Sequence, residues 1–226
     1  SVAASANVRL IEYLGGYNMF GGNFQTWKLH SAQDYFMFFA YILAGVMVFW
    51  LIAKHMNKQR NHEKAVEKVS ARLKKICGKP GEVLKNATLN LPEGKMTFDA
   101  VLMDKRGVYL VRTYGWGIKI YGTPDGAMWR REDAKRKEEF ENPLLELKKG
   151  AEEIAKVMEE NGVQNLKVMP MVVFADNFQT PELYLGYGSF STTYQELKSW
   201  YKKQSGVKEV QYDYDKVSSI IKELAK

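Results

Sequence analysis

The sequence contains very few of the side chains on which most catalytic and metal centres depend. It has one cysteine, Cys77, and three histidines, His30, His55 and His62. A single cysteine excludes a disulfide framework and the paired cysteines of a C-x-x-C zinc site. All three histidines precede the region that we expect to fold, so a Ser-His-Asp or Cys-His site would lack its base there. Any chemistry is therefore sought among carboxylates, lysines and arginines.

Charged residues are absent from one long stretch near the N-terminus. Residues 35–53 read YFMFFAYILAGVMVFWLIA, with no charged, amide or hydroxyl side chain apart from two tyrosines. As a helix, this stretch covers about 28 Å, close to the hydrocarbon thickness of a bilayer. It is longer than the apolar core of a signal peptide, and lysines rather than small residues follow it, which favours a retained anchor. We predict a transmembrane helix over residues 34–54.

Positive charge is concentrated after this stretch. Residues 1–53 contain two basic and two acidic residues, so the whole net charge of +7 lies beyond Ala53. This asymmetry predicts a single-pass membrane protein with its N-terminus outside and its C-terminal part in the cytoplasm. Residues 1–33 would then form a non-cytoplasmic segment. The residues expected to anchor the span at its two ends are Tyr35, Trp50, Lys54, Lys58 and Arg60.

Beyond the span, the hydrophobic pattern changes from helical to mixed. Residues 55–77 contain no glycine or proline and have apolar residues three and four apart, which predicts a basic helical stalk. Residues 78–226 alternate between strand and helix patterns and predict an α/β domain around a mixed sheet. Asn142-Pro143 marks the start of a helix, and Thr193 with Glu196 forms a capping pattern for another. The predicted strands are 83–91, 96–103, 108–112, 118–121, 127–130 and 167–175, and the helices end near residues 160, 203 and 225.

The same region resembles a known family. Gly81-Glu82 precedes a strand, FDAVL at 98–102 is followed by RGVYLV at 106–111, and Asn142-Pro143-Leu144 comes later, ahead of a VVF strand. In this order, and with Gly117 and Trp129 between them, these pieces resemble the nuclease-related domain (NERD) family over about residues 77–176. The resemblance implies a restriction-endonuclease-like fold, in which helices flank a mixed central sheet and acidic residues on that sheet hold a divalent metal.

The family resemblance also implies which residues would form the metal site. It assigns metal binding to the glutamate of the GE motif and the aspartate of the DAVL strand, here Glu82 and Asp99, together with a Glu-x-Lys on the next strand. This chain has Arg112-Thr113-Tyr114 at the Glu-x-Lys positions. A fixed guanidinium repels a metal ion, since unit charges 4 Å apart interact by about 4 kcal/mol at an effective dielectric constant of 20. We therefore expect no catalytic residue and no cofactor, and hypothesise that Arg112 pairs with Asp99 or Glu82.

Three functions remain open at this stage. The first is a catalytically inactive NERD-like domain, a pseudoenzyme that acts as a binding or scaffolding module and as an accessory subunit of a membrane complex. Its partners would be the lipid bilayer and other subunits. The second is a membrane-tethered nuclease with an atypical Mg²⁺ site, in which Glu132, Asp133 or Asp176 helps Glu82 and Asp99. The third is a purely structural subunit.

The basic surface adds one further candidate partner. Lysine and arginine clusters bind nucleic acid through its phosphates, and such clusters follow the span and recur at residues 130–137. Acidic residues interrupt the second cluster, however, and membrane topology together with anionic lipid already accounts for the first. We therefore expect nucleic acid to be a less favoured partner than lipid or protein.

Overall fold

The computed structural model describes residues 32–59, 61–133, 136–176, 179–204 and 212–226. The predicted segment 1–33 lies almost wholly outside these residues, as does Arg60, and the side chain of Lys58 is not described either. The chain divides into two compact units, residues 1–53 and 54–226.

A long apolar helix, α1 (Ala32–Gln59), contains the predicted span. Its stretch Tyr35–Lys54 is long and apolar enough to cross a membrane, and no part of it is buried within the described protein. Large side chains such as Phe36 and Phe49 are each 73% exposed. Tyr35 and Trp50 lie near the two ends of the stretch. An exposed apolar surface of this extent is typical of a membrane or protein interaction site.

The second helix, α2 (His62–Cys77), changes the interpretation of the predicted stalk. Asn61 has an extended backbone, and its side-chain oxygen accepts a hydrogen bond from the Glu63 N–H at 2.9 Å, so a new helix begins here. Val69 and Leu73 on its apolar face are fully buried. Residues 62–77 are therefore a structural layer of the α/β domain rather than a free stalk, and the domain begins well before residue 78.

The rest of the described chain contains nine strands and three further helices. The strands are β1 (Glu82–Leu91), β2 (Gly94–Asp104), β3 (Gly107–Tyr114), β4 (Lys119–Gly122), β5 (Met128–Glu132), β6 (Lys137–Glu141), β7 (Val168–Phe174), β8 (Glu182–Leu185) and β9 (Ser191–Thr193). The helices are α3 (Pro143–Glu160), α4 (Leu197–Gln204) and α5 (Tyr214–Leu224).

A mixed five-stranded sheet forms the centre of the domain, in the order β1-β2-β3-β7-β9. The first three strands are antiparallel, and β3, β7 and β9 run parallel to one another. Residues of α3 and α5 pack in the apolar cluster that includes Val101, Leu110 and Val172. Residues of α2 and α4 pack in a second cluster, which includes Leu102, Val111 and Val173. Because these clusters alternate along the strands, helices cover both faces of the sheet.

A second mixed sheet, with the order β6-β5-β4-β8, was not predicted as a separate sheet. The sequence KEEFE of β6 looks like a solvated charge run, but it forms a strand whose charges pair across the sheet. Arg131 of β5 lies opposite Glu138 and is hydrogen-bonded to it. The predicted fold class is confirmed: an α/β fold with mixed sheets flanked by helices, preceded by one apolar helix.

The central sheet is irregular where β1 passes Asp99. Residues on either side of Asn86 pair regularly with β2, but Asn86 itself has a φ of +50° and forms no bridge. Phe98 and Ala100 would share one face of a regular strand, yet they pack in different apolar clusters. The strand therefore exchanges its faces at Asp99.

Candidate functional site around Asp99

Asp99 is a buried carboxylate in the middle of the central sheet. Its side chain is only 7% exposed, and its Oδ2 accepts a hydrogen bond from the Thr113 N–H at 2.6 Å. This bond to the β3 backbone places the carboxylate between β2 and β3, next to the first paired residues of these strands, Ala100 and Val111. A carboxylate in such a position needs further partners, because its charge is costly to bury alone.

Arg112 is one of these partners, as the sequence analysis hypothesised. Its Nη1 lies 3.7 Å from Asp99 Oδ1, and its Nη2 lies 2.7 Å from Glu146 Oε2. Nη2 also donates to the Thr97 carbonyl oxygen at 3.2 Å. The guanidinium, whose side chain is 20% exposed, thus bridges a buried carboxylate from β2 and a half-exposed one from α3. Glu146 was not singled out from the sequence.

His62 is the second residue that sequence reasoning missed. Its Nε2 lies 3.3 Å from Asp99 Oδ1, on a side chain that is 59% exposed. The expectation that the folded region contains no histidine is therefore wrong. It failed because the helix that carries His62 was assigned to a stalk, although the burial of that helix brings its first residue to the sheet.

Glu82 is not part of this cluster. Its Oε2 lies 2.7 Å from Lys222 Nζ and accepts a hydrogen bond from the Ser218 hydroxyl at 3.3 Å, both on α5. Glu82 pairs in register with Met103, which is four residues along β2 from Asp99. At about 3.3 Å per residue, the two positions are about 13 Å apart along the strands, too far to share one metal ion.

Tyr114, at the position where the family resemblance implies lysine, lies in an aromatic cluster. Its ring stacks on Phe174 and also contacts Trp116 and Phe140, with ring centroids 4.7–5.5 Å apart. Burial raises the pKa of Tyr114 to about 12, and the positive charge of Arg112 opposes this shift. The phenol is therefore neutral at physiological pH and acts as part of the core.

The three carboxylates proposed as additional metal ligands lie around a different pocket. Glu132, Asp133 and Asp176 line a cavity of about 250 Å³ together with Arg131 and Arg136. Lys137 Nζ is 3.0 Å from Glu132, and a hydrogen bond from this lysine lowers the pKa of the Glu132 carboxyl. Neither Glu82 nor Asp99 is among the residues that line this pocket.

The donor set around Asp99 does not fit a Mg²⁺ ion. Such an ion needs several oxygen ligands arranged as an octahedron, and here a guanidinium lies between the two nearby carboxylates. In the part of the chain that the structure describes, no group of three or more histidine, cysteine, aspartate or glutamate side chains is arranged to hold a metal. Asp99, Arg112 and Glu146 form an ion-pair cluster instead, and the His62 imidazole lies against Asp99.

Comparison with known proteins identifies the family but gives no individual relative. Residues 58–175, just over half of the chain, match the family described as Nuclease-related domain, NERD. This match starts before the region of predicted resemblance and includes α2, in agreement with the packing of that helix. No curated protein and no solved structure matches the chain. The chain belongs to the nuclease-related domain (NERD) family.

Proposed function

We propose that this chain is a single-pass membrane protein whose NERD domain does not hydrolyse nucleic acid. The domain serves instead as a binding and scaffolding module, as an accessory subunit of a membrane complex. The exposed apolar helix α1 supports the membrane location, and the intact core of the domain supports a role that needs the fold without its metal chemistry.

The observation that carries this proposal is the position of the Arg112 guanidinium between Asp99 and Glu146. Arginine does not lose its proton in proteins, so the positive charge is permanent. A divalent ion about 4 Å from it would meet a repulsion of about 8 kcal/mol at an effective dielectric constant of 20. The one guanidinium already pairs with both of the carboxylates on which a metal would depend.

One observation favours a second function, a membrane-tethered nuclease with an atypical site. His62 lies against Asp99, and a half-exposed imidazole oriented by a carboxylate is suited to general-base chemistry or to metal binding. The remaining ligands would have to come from residues that Arg112 now contacts. The first proposal is therefore the better supported of the two.

A cleavage assay distinguishes these two functions. The purified full chain in detergent is incubated with single- and double-stranded DNA and with RNA, in the presence of Mg²⁺ or Mn²⁺, beside Asp99→Ala as the matched background control. We expect no divalent-dependent cleavage above that control. Cleavage by the wild type that is lost in both Asp99→Ala and His62→Ala would reject the proposal and establish a tethered nuclease.

Restoring the family residues provides the complementary test. Arg112→Glu combined with Tyr114→Lys removes the bridging cation and adds a carboxylate and a lysine at the motif positions. We expect Mg²⁺ to raise the thermal unfolding midpoint of this variant and to leave that of the wild type unchanged, since only a ligand of the folded state stabilises it. Equal shifts in both proteins would show that Arg112 does not exclude the metal.

A further inference from the structure

A basic cavity lies between α2, α4 and the turn that joins β2 to β3. It has a volume of about 600 Å³, within the usual range of small-molecule sites. Of the ten described residues that line it, six are basic and none is acidic. The basic residues are Lys68, Arg72, Lys75, Arg106, Lys198 and Lys202. None of these residues belongs to the cluster around Asp99.

Two tyrosine rings hold three of these cations in place. Lys68 Nζ and the Arg72 guanidinium lie 4.2 and 4.5 Å from the centre of the Tyr194 ring. Arg106 lies 4.3 Å from the centre of the Tyr201 ring, and its Nη1 donates to the Tyr201 carbonyl oxygen at 3.1 Å. Side chains ordered in this way lose less conformational entropy when they bind a ligand. The cavity therefore differs from an ordinary solvated basic surface.

Asp104 holds in place the turn between β2 and β3, which carries Arg106 at one side of the cavity. This carboxylate is buried and accepts hydrogen bonds from the Arg106 backbone N–H at 2.9 Å and from the Tyr201 hydroxyl. Asp104 is not among the residues lining the cavity, and its bond to the Tyr201 hydroxyl places its carboxylate at the far end of that ring. The arrangement orients the arginine without adding an acidic residue to the lining.

We propose that this cavity binds a compact anion that carries two or more phosphoryl groups, supplied either by a soluble molecule or by a lipid headgroup. A phosphate monoester brings a charge of about −1.5 to −2, so two of them offset at least half of the six positive charges of the lining, and three or four balance them. Arginine matches phosphate through paired hydrogen bonds, and lysine adds point charges around it. A nucleic acid strand is a poorer match, because such strands follow an extended basic groove rather than one cavity.

The test uses the full chain in detergent, titrated with tripolyphosphate by isothermal calorimetry at physiological ionic strength. Lys75→Gln with Lys198→Gln removes two exposed cations of the cavity that have no part in the tyrosine contacts. Lys95→Gln with Lys156→Gln removes the same formal charge from two exposed lysines that do not line the cavity, and is the matched control. We expect saturable binding that weakens at least about tenfold in the cavity variant and less than about twofold in the control.

Arg106→Lys separates site geometry from charge, since it keeps the cation and removes the paired donors and the ring contact. We expect severalfold weaker binding of tripolyphosphate. Equal weakening in the cavity and control variants, or an unaffected Arg106→Lys, would show general attraction of polyanions and overturn the proposal. Absence of binding to both tripolyphosphate and anionic lipid would overturn it as well. If an oligonucleotide binds and tripolyphosphate does not displace it, the ligand of the cavity is a nucleic acid and not a compact anion.

The source of the phosphoryl groups is identified by reconstitution. The full chain is placed in nanodiscs of phosphatidylcholine alone, or of four parts phosphatidylcholine to one part cardiolipin, and the tripolyphosphate titration is repeated. The site is assigned to a lipid headgroup if tripolyphosphate binds more weakly in cardiolipin nanodiscs than in phosphatidylcholine nanodiscs, and if the cavity variant does not show this difference. Equal binding in both nanodiscs assigns it to a soluble anion. Neither result depends on whether the Asp99 cluster cleaves nucleic acid.

Discussion

Asp99 depends on Arg112 for the cation that its buried carboxylate needs. Arg112→Met leaves that carboxylate without its guanidinium, and we expect it to lower the free energy of unfolding by about 2 kcal/mol. Arg130→Met removes an exposed arginine that lies 3.5 Å from Glu132, and it should cost less than about 1 kcal/mol. Urea unfolding of the full chain in detergent, followed by tryptophan fluorescence, measures both changes.

A double-mutant cycle isolates the contribution of the Asp99–Arg112 pair. In an Asp99→Asn background, Arg112→Met should cost at least about 1 kcal/mol less than in the wild type, because no buried charge is then left unpaired. Equal costs in the two backgrounds would mean that Arg112 stabilises the domain only through Glu146 and Thr97.

The buried phenol of Tyr114 should make the free energy of unfolding depend on pH in strong base. Burial raises its pKa to about 12, whereas an unfolded tyrosine ionises near pH 10. Between these values the unfolded chain has released a proton that the folded chain retains, so the free energy of unfolding falls as pH rises. The stabilisation that the neutral Tyr114 phenol gives the folded state is fully present below pH 10. Tyr114→Phe should therefore make this fall shallower by about 1 kcal/mol per pH unit.

The control for Tyr114 is Tyr187→Phe, which changes a fully exposed ring. Urea unfolding at several pH values from 9 to 12 compares these two variants with the wild type. Identical pH profiles for Tyr114→Phe and the wild type would show that the Tyr114 phenol ionises in the folded state as readily as in the unfolded chain.

Helix α2 is the element whose role changed most between sequence and structure. Leu73 is fully buried against the central sheet, so Leu73→Ala should lower the free energy of unfolding by about 3 kcal/mol through lost contacts and a cavity. Lys74→Ala, at the next and exposed position, keeps a good helix former and should change it by less than about 0.5 kcal/mol. Urea unfolding of both variants is the measurement. A free helical stalk would tolerate the two substitutions equally.

Helix α3 shows what a local signal does and does not predict. Asn142 accepts a hydrogen bond from the Leu144 N–H at 2.9 Å, as its sequence position before Pro143 predicted. Its amide nitrogen also donates to the carbonyl oxygens of Pro124 and Gly126, at 3.1 and 2.7 Å. The capping role depends on three neighbouring residues and is readable from the sequence. The hydrogen bond from Asn142 to Gly126, in the turn between β4 and β5, joins residues sixteen apart in the chain and is not readable from neighbouring residues.

Over the whole molecule, the charge asymmetry predicts that the N-terminal segment and the NERD domain lie on opposite sides of a membrane. In a Cys77→Ser background, Ser5→Cys and Lys226→Cys each provide one thiol for a membrane-impermeant maleimide. With intact cells, we expect the first thiol to react and the second to react only after the membrane is made permeable. Reaction of Lys226→Cys in intact cells would reverse the predicted orientation, and reaction of both would argue against a span.

The sequence by itself determined the features that depend on neighbouring residues: the apolar stretch Tyr35–Lys54, the hairpins of β1 to β3, the cap of α3, and the family motifs. The predicted bond between the Glu196 N–H and Thr193 forms, but it closes a turn ahead of α4, which begins only at Leu197. Only the tertiary structure decided that α2 covers the central sheet, that β4, β5, β6 and β8 form a second sheet, and that Glu82 lies with α5.

The cluster around Asp99 was predictable from the sequence in part, and tertiary packing decided the rest. The motif placed Arg112 near Asp99, because their strands are joined by a tight turn. His62 and Glu146 come from helices 37 and 47 residues away in the chain, and no local pattern encodes which strand residue they meet. The burial of apolar helix faces selects those contacts, since a helix packs where its apolar face is covered and carries its polar ends with it.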